Sequence, residues 1–400
     1  PVLTMEFAIG RASRKSCIKA YQELEPKGSK WHWHGIFAML GNYVLMAFYT
    51  TVAGWMLYYF YRFLIGEMSG LDKAGIDDAF SGMLAQPVTM TVWMLIIVVL
   101  GFVICSFGLQ KGVERITKWM MVALLVIMVV LAVNSLFLPG ASEGIRFYLV
   151  PDLSKVQETG ILGTITAAMN QSFFTLSLGI GAMLIFGSYL GRERRLLGES
   201  INIAILDTFV AFVSGLIIFP ACFAYDVPVD SGPPLIFMTL PNVFNSMAAG
   251  RVWGTLFFLF MSFASFSTVV AVFENILACT IDLSGWSRKK AALVNGIIVA
   301  IISMPCILGY NVWSGFVPFE AGTAVLDLED YLVSNILLPG GSLVYLLFCV
   351  SRIGWGFKNY QEETNQGVGP KVPNWVRGYV TFVLPILVGV LLIQSILRIK

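Results

Sequence analysis

Long apolar runs alternate with short charged stretches along the whole chain, and this alternation predicts a series of membrane-spanning helices. A helix needs about 20 mainly apolar residues to cross a bilayer. The stretches that meet this requirement are residues 34–61, 88–109, 118–138, 161–190, 201–224, 252–276, 291–308, 331–351 and 378–397. Residues 1–10 have the apolar pattern expected of the end of a further span. The pattern therefore predicts nine full spans between about residues 34 and 397, preceded by part of another.

The composition supports an integral membrane protein. Of the 400 residues, 57% are hydrophobic and only 12% are charged, whereas soluble domains carry roughly 25% charged residues. The mean hydropathy of +0.78 is too high for one soluble core of this length. The six cysteines have no metal-binding or disulfide spacing, and the net charge of +2 gives no indication of nucleic-acid binding.

The basic residues predict the orientation, because loops rich in Lys and Arg remain on the cytoplasmic side. One set of loops carries 19 of the 26 basic residues: residues 11–30, 111–118, 192–195, 288–290 and 352–377. These loops are predicted to be cytoplasmic, which places the chain end at Lys400 outside.

One external loop is unusually apolar. Residues 225–250 include Leu235, Ile236, Phe237 and Met238, and prolines divide the loop into short pieces. We expect a helical hairpin that re-enters over an external vestibule and acts as a lid. An amphipathic loop lying in the membrane interface is the alternative.

The predicted span 161–190 contains residues that weaken a helix at its centre. It has no charged residue, yet residues 170–183 read NQSFFTLSLGIGAM. Gly179 and Gly181 each cost about 1 kcal/mol relative to alanine in a helix interior, and Ser177 competes for backbone hydrogen bonds. A small-residue packing face is one interpretation. The other, which we favour, is a discontinuous helix whose free ends hold a substrate and cations.

Two other predicted spans carry polar groups at a similar depth. Ala264 and Thr268 share one face of a helix and Ser267 adjoins them, so their oxygens could bind a small alkali cation. The alternative is hydrogen bonding of the hydroxyls to their own helix. Leu45 and Tyr49 share a face of the first full span, and the Tyr49 hydroxyl could bind a carboxylate or simply be packed.

Asp207 lies inside the fifth full span with no basic residue near it in sequence. A carboxylate at the centre of a spanning helix costs at least ~2.5 kcal/mol. It must therefore be protonated, reach the membrane surface or meet a cation.

With these residues, the chain resembles the neurotransmitter:sodium symporter family, especially its bacterial eleven-span amino-acid transporters. The stretches that carry the resemblance are TMEFAIGR (4–11), KGVER (111–115), NQSFFTLSLGIGAM (170–183), GPPLIFMTLPNVF (232–244) and GWSRKKA (285–291). The resemblance implies an all-α, inverted-repeat symporter fold with discontinuous helices, forming a single transporter domain over residues 1–400. It also implies that this sequence lacks the first helix and most of the second.

The resemblance implies roles for particular residues. The first sodium site would use Thr175 and Asp207, and the second would use the Ala264 carbonyl with Ser267 and Thr268. The residues implied for the substrate pocket are Leu45, Tyr49, Phe174, Ser177, Ile180, Val269 and Val272. Tyr49 would bind the substrate carboxylate and Phe174 would close over it. Asp330 and Asp282 match the outer and inner gate acids, whose arginine partners belong to the missing segment.

The function that follows is sodium-coupled import of a hydrophobic or aromatic amino acid by alternating access. We expect two sodium ions and no chloride, because Asp207 supplies a negative charge and Ala211 replaces a serine used by chloride-dependent relatives. The expected location is the bilayer of the bacterial inner membrane, and no oligomeric state is indicated. A proton-coupled broken-helix transporter of another family is the alternative. An enzyme is disfavoured, because His32 and His34 lie at a membrane edge without a nucleophile.

Overall fold

The computed structural model describes residues 1–108, 113–229 and 232–397, except the side chains of Lys155, Glu158 and Thr159. Parts of four predicted features lie outside the described residues. They are position 109 of the span 88–109, positions 111 and 112 of the KGVER stretch, positions 230 and 231 of the lid, and the chain end at Lys400.

The described residues are mainly helical. The helices of the first half are α1 (Val2–Ser13), α2 (Cys17–Leu24), α3 (His32–Ile65), α4 (Lys73–Leu84), α5 (Pro87–Ser106), α6 (Arg115–Leu136), α7 (Ala141–Leu149), α8 (Leu153–Thr159), α9 (Ile161–Thr175) and α10 (Ala182–Tyr189). The second half contains α11 (Leu196–Ala224), α12 (Gly232–Pro234), α13 (Leu240–Ser246), α14 (Gly250–Ser284), α15 (Arg288–Ile302), α16 (Met304–Leu308), α17 (Val325–Tyr331), α18 (Leu338–Val350), α19 (Phe357–Thr364), α20 (Val376–Gly378) and α21 (Leu384–Leu397). Among the described residues, π-helical segments connect neighbouring helices at Leu235–Thr239, Leu332–Leu337 and Tyr379–Val383.

Eight helical stretches of the described chain are long and apolar enough to cross a membrane. Each overlaps one of the nine predicted spans, and the chain is a multi-pass membrane protein. The remaining predicted span, 161–190, is divided into α9 and α10, each shorter than a full crossing. The prediction of a discontinuous helix is therefore confirmed. Another difference concerns α14, which continues to Ser284 beyond its predicted end at residue 276.

The segment predicted as a hairpin forms one continuous helical arm over residues 232–246, and residues 225–229 before it are not helical. The arm is held by aromatic packing: Phe237 lies 5.0 Å from the Tyr59 ring, 5.7 Å from Trp55 and 5.5 Å from Phe80. These buried rings explain the apolar composition of the loop. The helical hairpin is thus corrected to a single arm, and its role as a lid remains a prediction.

Helices α3 and α14 lie side by side at the centre of the bundle, and α14 also contacts α5 and α6. Small residues permit the close crossings. A side chain at Gly54 of α3 would meet the backbone of α5 at Met94, and one at Gly187 of α10 would meet the backbone of α1 at Phe7. Spanning helices commonly approach through such small residues, because lipid gives no hydrophobic drive for their association.

Candidate functional site

The break between α9 and α10 is a short non-helical stretch of residues 176–181. Ser177, Gly179 and Gly181 have φ angles of 50°, 96° and 74°, a region that favours glycine. Gly179 is also needed for space, because a β-carbon there would meet the backbone of α18 at Leu338 and Ser342. These residues therefore end one helix, begin another and permit close contact with α18.

Side chains from three other helices bond to two polar backbone groups of the break. The Gly179 N–H donates to Glu6 Oε1 of α1 over 2.6 Å. The Ile180 carbonyl accepts hydrogen bonds from Asn42 Nδ2 of α3 at 2.7 Å and Asn275 Nδ2 of α14 at 3.3 Å. The two amide side chains also bond to each other over 3.0 Å. All three side chains are buried, and they compensate for backbone hydrogen bonds that an intact helix would have made.

The break forms one wall of a cavity of about 430 Å³, called the central cavity here. Helices α3, α6, α9, α11, α14 and α18 contribute the remaining lining residues. The site residues from the sequence that line it are Leu45, Tyr49, Phe174, Thr175, Ser177, Asp207, Ala264, Ser267 and Thr268. The structure therefore brings together the residues expected for both cation sites with four of the seven expected at the substrate pocket.

The oxygens expected to bind cations include two hydrogen-bonded pairs, one between α9 and α11 and one within α14. The Thr175 hydroxyl donates to Asp207 Oδ1 over 2.8 Å, which joins the end of α9 to α11. The Ser267 hydroxyl donates to the Ala264 carbonyl over 2.7 Å within α14, which is the alternative considered from the sequence. Donation uses the hydroxyl proton but leaves oxygen lone pairs, so neither bond prevents these oxygens from binding a cation.

The remaining substrate-pocket predictions do not line the central cavity. Ile180 is buried, and a β-carbon at Gly41 would lie 3.0 Å from its side chain. Val269 is buried against α5, where its side chain approaches Gly101. Val272 is also fully buried within α14. The positions of Val269 and Val272 follow from the rotation of α14 about its axis, which neighbouring helices determine.

A second space, the outer cavity, has a volume of about 400 Å³ and is lined by Asp330, Tyr331 and Ser334. Gln171 and Phe174 line both this cavity and the central cavity. They therefore separate the two spaces, the position expected for a side chain that closes over a substrate. Asp330 accepts a hydrogen bond from Ser334 Oγ over 2.8 Å.

The other predicted gate acid, Asp282, lies near the C-terminal end of α14. Its Oδ2 accepts a hydrogen bond from the Ser16 N–H over 2.7 Å. Nearby, the Tyr189 hydroxyl of α10 donates to Glu274 Oε1 over 3.0 Å. Arg288 forms an ion pair with the other oxygen of Glu274. These contacts tie the end of the broken helix to α14 on the side predicted to be cytoplasmic.

Glu6, Asn42 and Asn275 were not selected from the sequence, although they hold the break in place. A signal was present: Glu6 lies in the TMEFAIGR stretch and Asn42 interrupts an apolar span. Such isolated polar residues must find partners in a membrane. Sequence alone could not identify Gly179 and Ile180 as those partners, because they lie more than 90 positions from any of the three.

A helical bundle around a broken helix, with convergent oxygens beside the break, is typical of secondary transporters. Residues 77–400 match the model of the sodium:neurotransmitter symporter family. The sodium-dependent transporter YhdH of Bacillus subtilis is 32% identical over 353 residues, which cover 88% of this chain and 77% of that protein. A sodium-dependent transporter of Haemophilus influenzae is 28% identical, with 99% of this chain and 87% of that protein covered.

A solved structure supports the same assignment. The crystal structure of MhsT in complex with L-phenylalanine has a TM-score of 0.88 and 31% identity, covering 99% of this chain and 88% of that one. This chain belongs to the sodium:neurotransmitter symporter family. It is a sodium-dependent membrane transporter, not an enzyme, and the alternative of a transporter from another family is excluded.

Proposed function

We propose that the protein imports a hydrophobic or aromatic amino acid together with sodium by alternating access. The observation that carries this proposal is the central cavity, in which apolar side chains and two sets of oxygens that could bind cations meet beside a broken helix. Inward sodium movement would supply roughly 2.3 kcal/mol per charge per 100 mV of membrane potential. That energy is available only if sodium and substrate bind to the same conformation.

The apolar residues of the central cavity support the substrate class. Leu45 and Phe174 provide carbon surface, while the Tyr49 hydroxyl lies beside Thr268 and can donate to a carboxylate. Ser177 would bind the substrate near the free end of α9. The bound L-phenylalanine of MhsT, a structural neighbour over nearly the whole chain, favours an aromatic ligand. Ile180, Val269 and Val272 would act as packing residues behind the pocket.

Two sodium ions fit the oxygens of the central cavity. Thr175 and Asp207 would bind the first, with the carboxylate supplying charge. The Ala264 carbonyl and the hydroxyls of Ser267 and Thr268 would bind the second. Hard oxygen ligands of this kind suit a small alkali cation.

Chloride would not be required. Two sodium ions and a zwitterion bring net positive charge into a site of low dielectric constant, where compensation is needed. Asp207 provides a fixed negative charge within the cavity. Ala211, one turn later on α11, has no side-chain donor for an anion.

The two gates would open in alternation. Phe174 separates the central and outer cavities, so its rotation would open or close the external route beside Asp330. The contacts of Asp282 and Tyr189 would hold the opposite end closed. The arm of residues 232–246 would act as the external lid.

The test is uptake of labelled L-phenylalanine by the purified full-length protein in liposomes with an inward sodium gradient. We expect accumulation that requires sodium and that unlabelled leucine, but not glutamate or lysine, inhibits. Tyr49→Phe should raise KM for the amino acid, since it removes the hydroxyl and keeps the ring.

A matched control is Tyr43→Phe, on the same helix, because the Tyr43 hydroxyl bonds to Asn295 outside the cavity. It should leave KM unchanged. Sodium-driven uptake competed only by charged amino acids would refute the substrate class. Equal effects of the two tyrosine substitutions would exclude Tyr49 from the binding site.

A further inference from the structure

A third space, the lateral cavity, lies between α3 and α18 and is separate from the proposed transport route. Its volume is about 610 Å³ and its walls are predominantly apolar, with Phe37 on α3 and Val344 on α18 among them. This volume lies within the range of about 300–1,000 Å³ that is typical of ligand pockets. None of the side chains expected to bind sodium lines it.

The mouth of the lateral cavity is placed at a membrane surface by its residues. Lys30 and Trp31 line it just before α3 begins. Tryptophan is enriched where the hydrocarbon core meets the headgroups, and Lys30 belongs to the basic stretch predicted to face the cytoplasm. Beside the mouth, Trp33 and Phe37 are 54% and 59% exposed, so no described residue covers this face of α3.

Lys30 has no ion-pair partner among the residues that the structure describes. An exposed lysine above an apolar cavity complements a molecule with an anionic head and a hydrocarbon tail. An anionic phospholipid of the cytoplasmic leaflet has this chemistry and is attracted to basic residues at that surface.

The inner end of the lateral cavity reaches the break in the broken helix. Gly179 and Ile180 line it, and the Ile180 carbonyl holds Asn42 and Asn275. Ser177, two residues earlier, lines the central cavity instead. A hydrocarbon chain in the lateral cavity would therefore contact the break from the side opposite the proposed substrate.

We propose that the lateral cavity binds one acyl chain of an anionic phospholipid, with its phosphate at Lys30 and its chain end against Ile180. The bound chain fills the apolar space and supports the described conformation of the break. The lipid is thus a regulatory ligand whose site goes beyond the proposed transport function.

The test uses phosphatidylglycerol with a photoactivatable group near the end of one acyl chain, added to the transporter in liposomes. Cross-linked peptides are mapped by mass spectrometry, a readout that does not require transport. We expect labels on α3 near Phe37 and on α18 near Val344. Lys30→Gln should reduce this labelling roughly fivefold, because one basic group near an anionic surface contributes about that much.

Two further variants isolate the charge and the cavity. Lys27→Gln removes the same charge from the same stretch but does not line the cavity, and it should leave labelling unchanged. Gly340→Leu should abolish labelling by filling the space, since a β-carbon there meets only Leu392 methyl groups at 3.9 and 4.0 Å. If that variant unfolds on heating before the wild type, Val344→Trp fills the same space.

Absence of labelling in the lateral cavity would overturn the proposal and indicate that protein or neutral lipid covers it. Equal labelling by a phosphatidylcholine probe, insensitive to Lys30→Gln, would refute the anionic headgroup. Failure of sodium-driven uptake with labelling intact would count against the proposed function alone.

Discussion

The oxygens expected to bind sodium are hydrogen-bonded to one another in this structure. Thr175 bonds to Asp207, and Ser267 bonds to the Ala264 carbonyl. A typical neutral hydrogen bond contributes only about 0.5–1.5 kcal/mol. Cation binding would require at most a reorientation of each hydroxyl proton, so these pairs hold the oxygens in place at little cost to affinity.

Replacing both hydroxyls of the α14 set is the direct test of that cation site. Ser267→Ala with Thr268→Ala should weaken sodium-stimulated amino-acid binding at least tenfold, because the cation loses two of its few ligands. Sodium titration of substrate binding measures this. Ser262→Ala is the matched control, since Ser262 makes the same bond within α14 to Phe258 over 2.7 Å but does not line the cavity. An unchanged sodium midpoint in the double variant would remove both residues from the site.

The negative charge of Asp207 should make transport independent of chloride. Replacing chloride by gluconate at constant sodium should leave wild-type uptake unchanged, whereas Asp207→Asn should lower uptake with or without chloride, because Ala211 has no side-chain donor to hold a replacing anion. Asp226→Asn is the control, because Asp226 is an exposed carboxylate at the end of the same segment. Wild-type uptake that falls without chloride would contradict the prediction. Proton counterflow present in the wild type and lost in Asp207→Asn would identify this carboxylate as the proton carrier of the return step.

At the level of elements, the break depends on both backbone conformation and contact with a neighbour. Gly179 has a positive φ and its α-carbon lies against the backbone of α18. A side chain at position 179 would be strained by the positive φ and would also clash with the backbone of α18. The contact also explains why α18 presents Gly341 opposite the break, since a β-carbon at Gly341 would meet the backbone of Gly179.

The cost of the positive φ and the cost of the clash with α18 can be separated by substituting two glycines in turn. Gly70→Ala should cost about 1–3 kcal/mol of stability, because Gly70 has a φ of 76° but open space around it. Gly179→Ala, at a φ of 96°, should cost clearly more, since the added methyl group must displace Leu338. Thermal unfolding in detergent measures both. Equal destabilisation would mean that close packing against α18 contributes nothing to the break.

At the level of the whole molecule, the two ends of the proposed route differ. The outer cavity leads toward Phe174, whereas at the opposite end Tyr189, Glu274 and Arg288 contact one another. Breaking one of these contacts should change the free-energy difference between the conformations by at most the free energy of that contact.

Tyr189→Phe should therefore favour opening at that end. A hydrogen bond to a charged carboxylate contributes at least about 1.5 kcal/mol, or roughly tenfold in population. All six cysteines are buried, so the rates at which they are alkylated report the opening of the protein around them. Cys17 and Cys279 lie beside each other near the end that Tyr189 holds. Cys222 lies near the C-terminal end of α11, away from that end. Alkylation of Cys17 and Cys279 should accelerate about tenfold, while Cys222 should not change. Equal acceleration at Cys222 would indicate general loosening instead of a gate.

The sequence by itself determined the spans and the position of the break, because hydropathy and glycine conformation act over neighbouring residues. The glycines at 179 and 181, with positive φ angles, lie at the break that the sequence indicated. It also grouped Ala264, Ser267 and Thr268, because helical periodicity puts them on adjoining positions.

Only the tertiary structure decided which side chains meet the break. Glu6, Asn42 and Asn275 come from three helices, and a polar residue in an apolar span has the same sequence pattern whichever neighbour it contacts. Tertiary packing also turned Val269 toward α5 and away from the central cavity. The rotation of a uniformly apolar helix about its axis has little cost in lipid, so only contacts with neighbouring helices select which face lines the site.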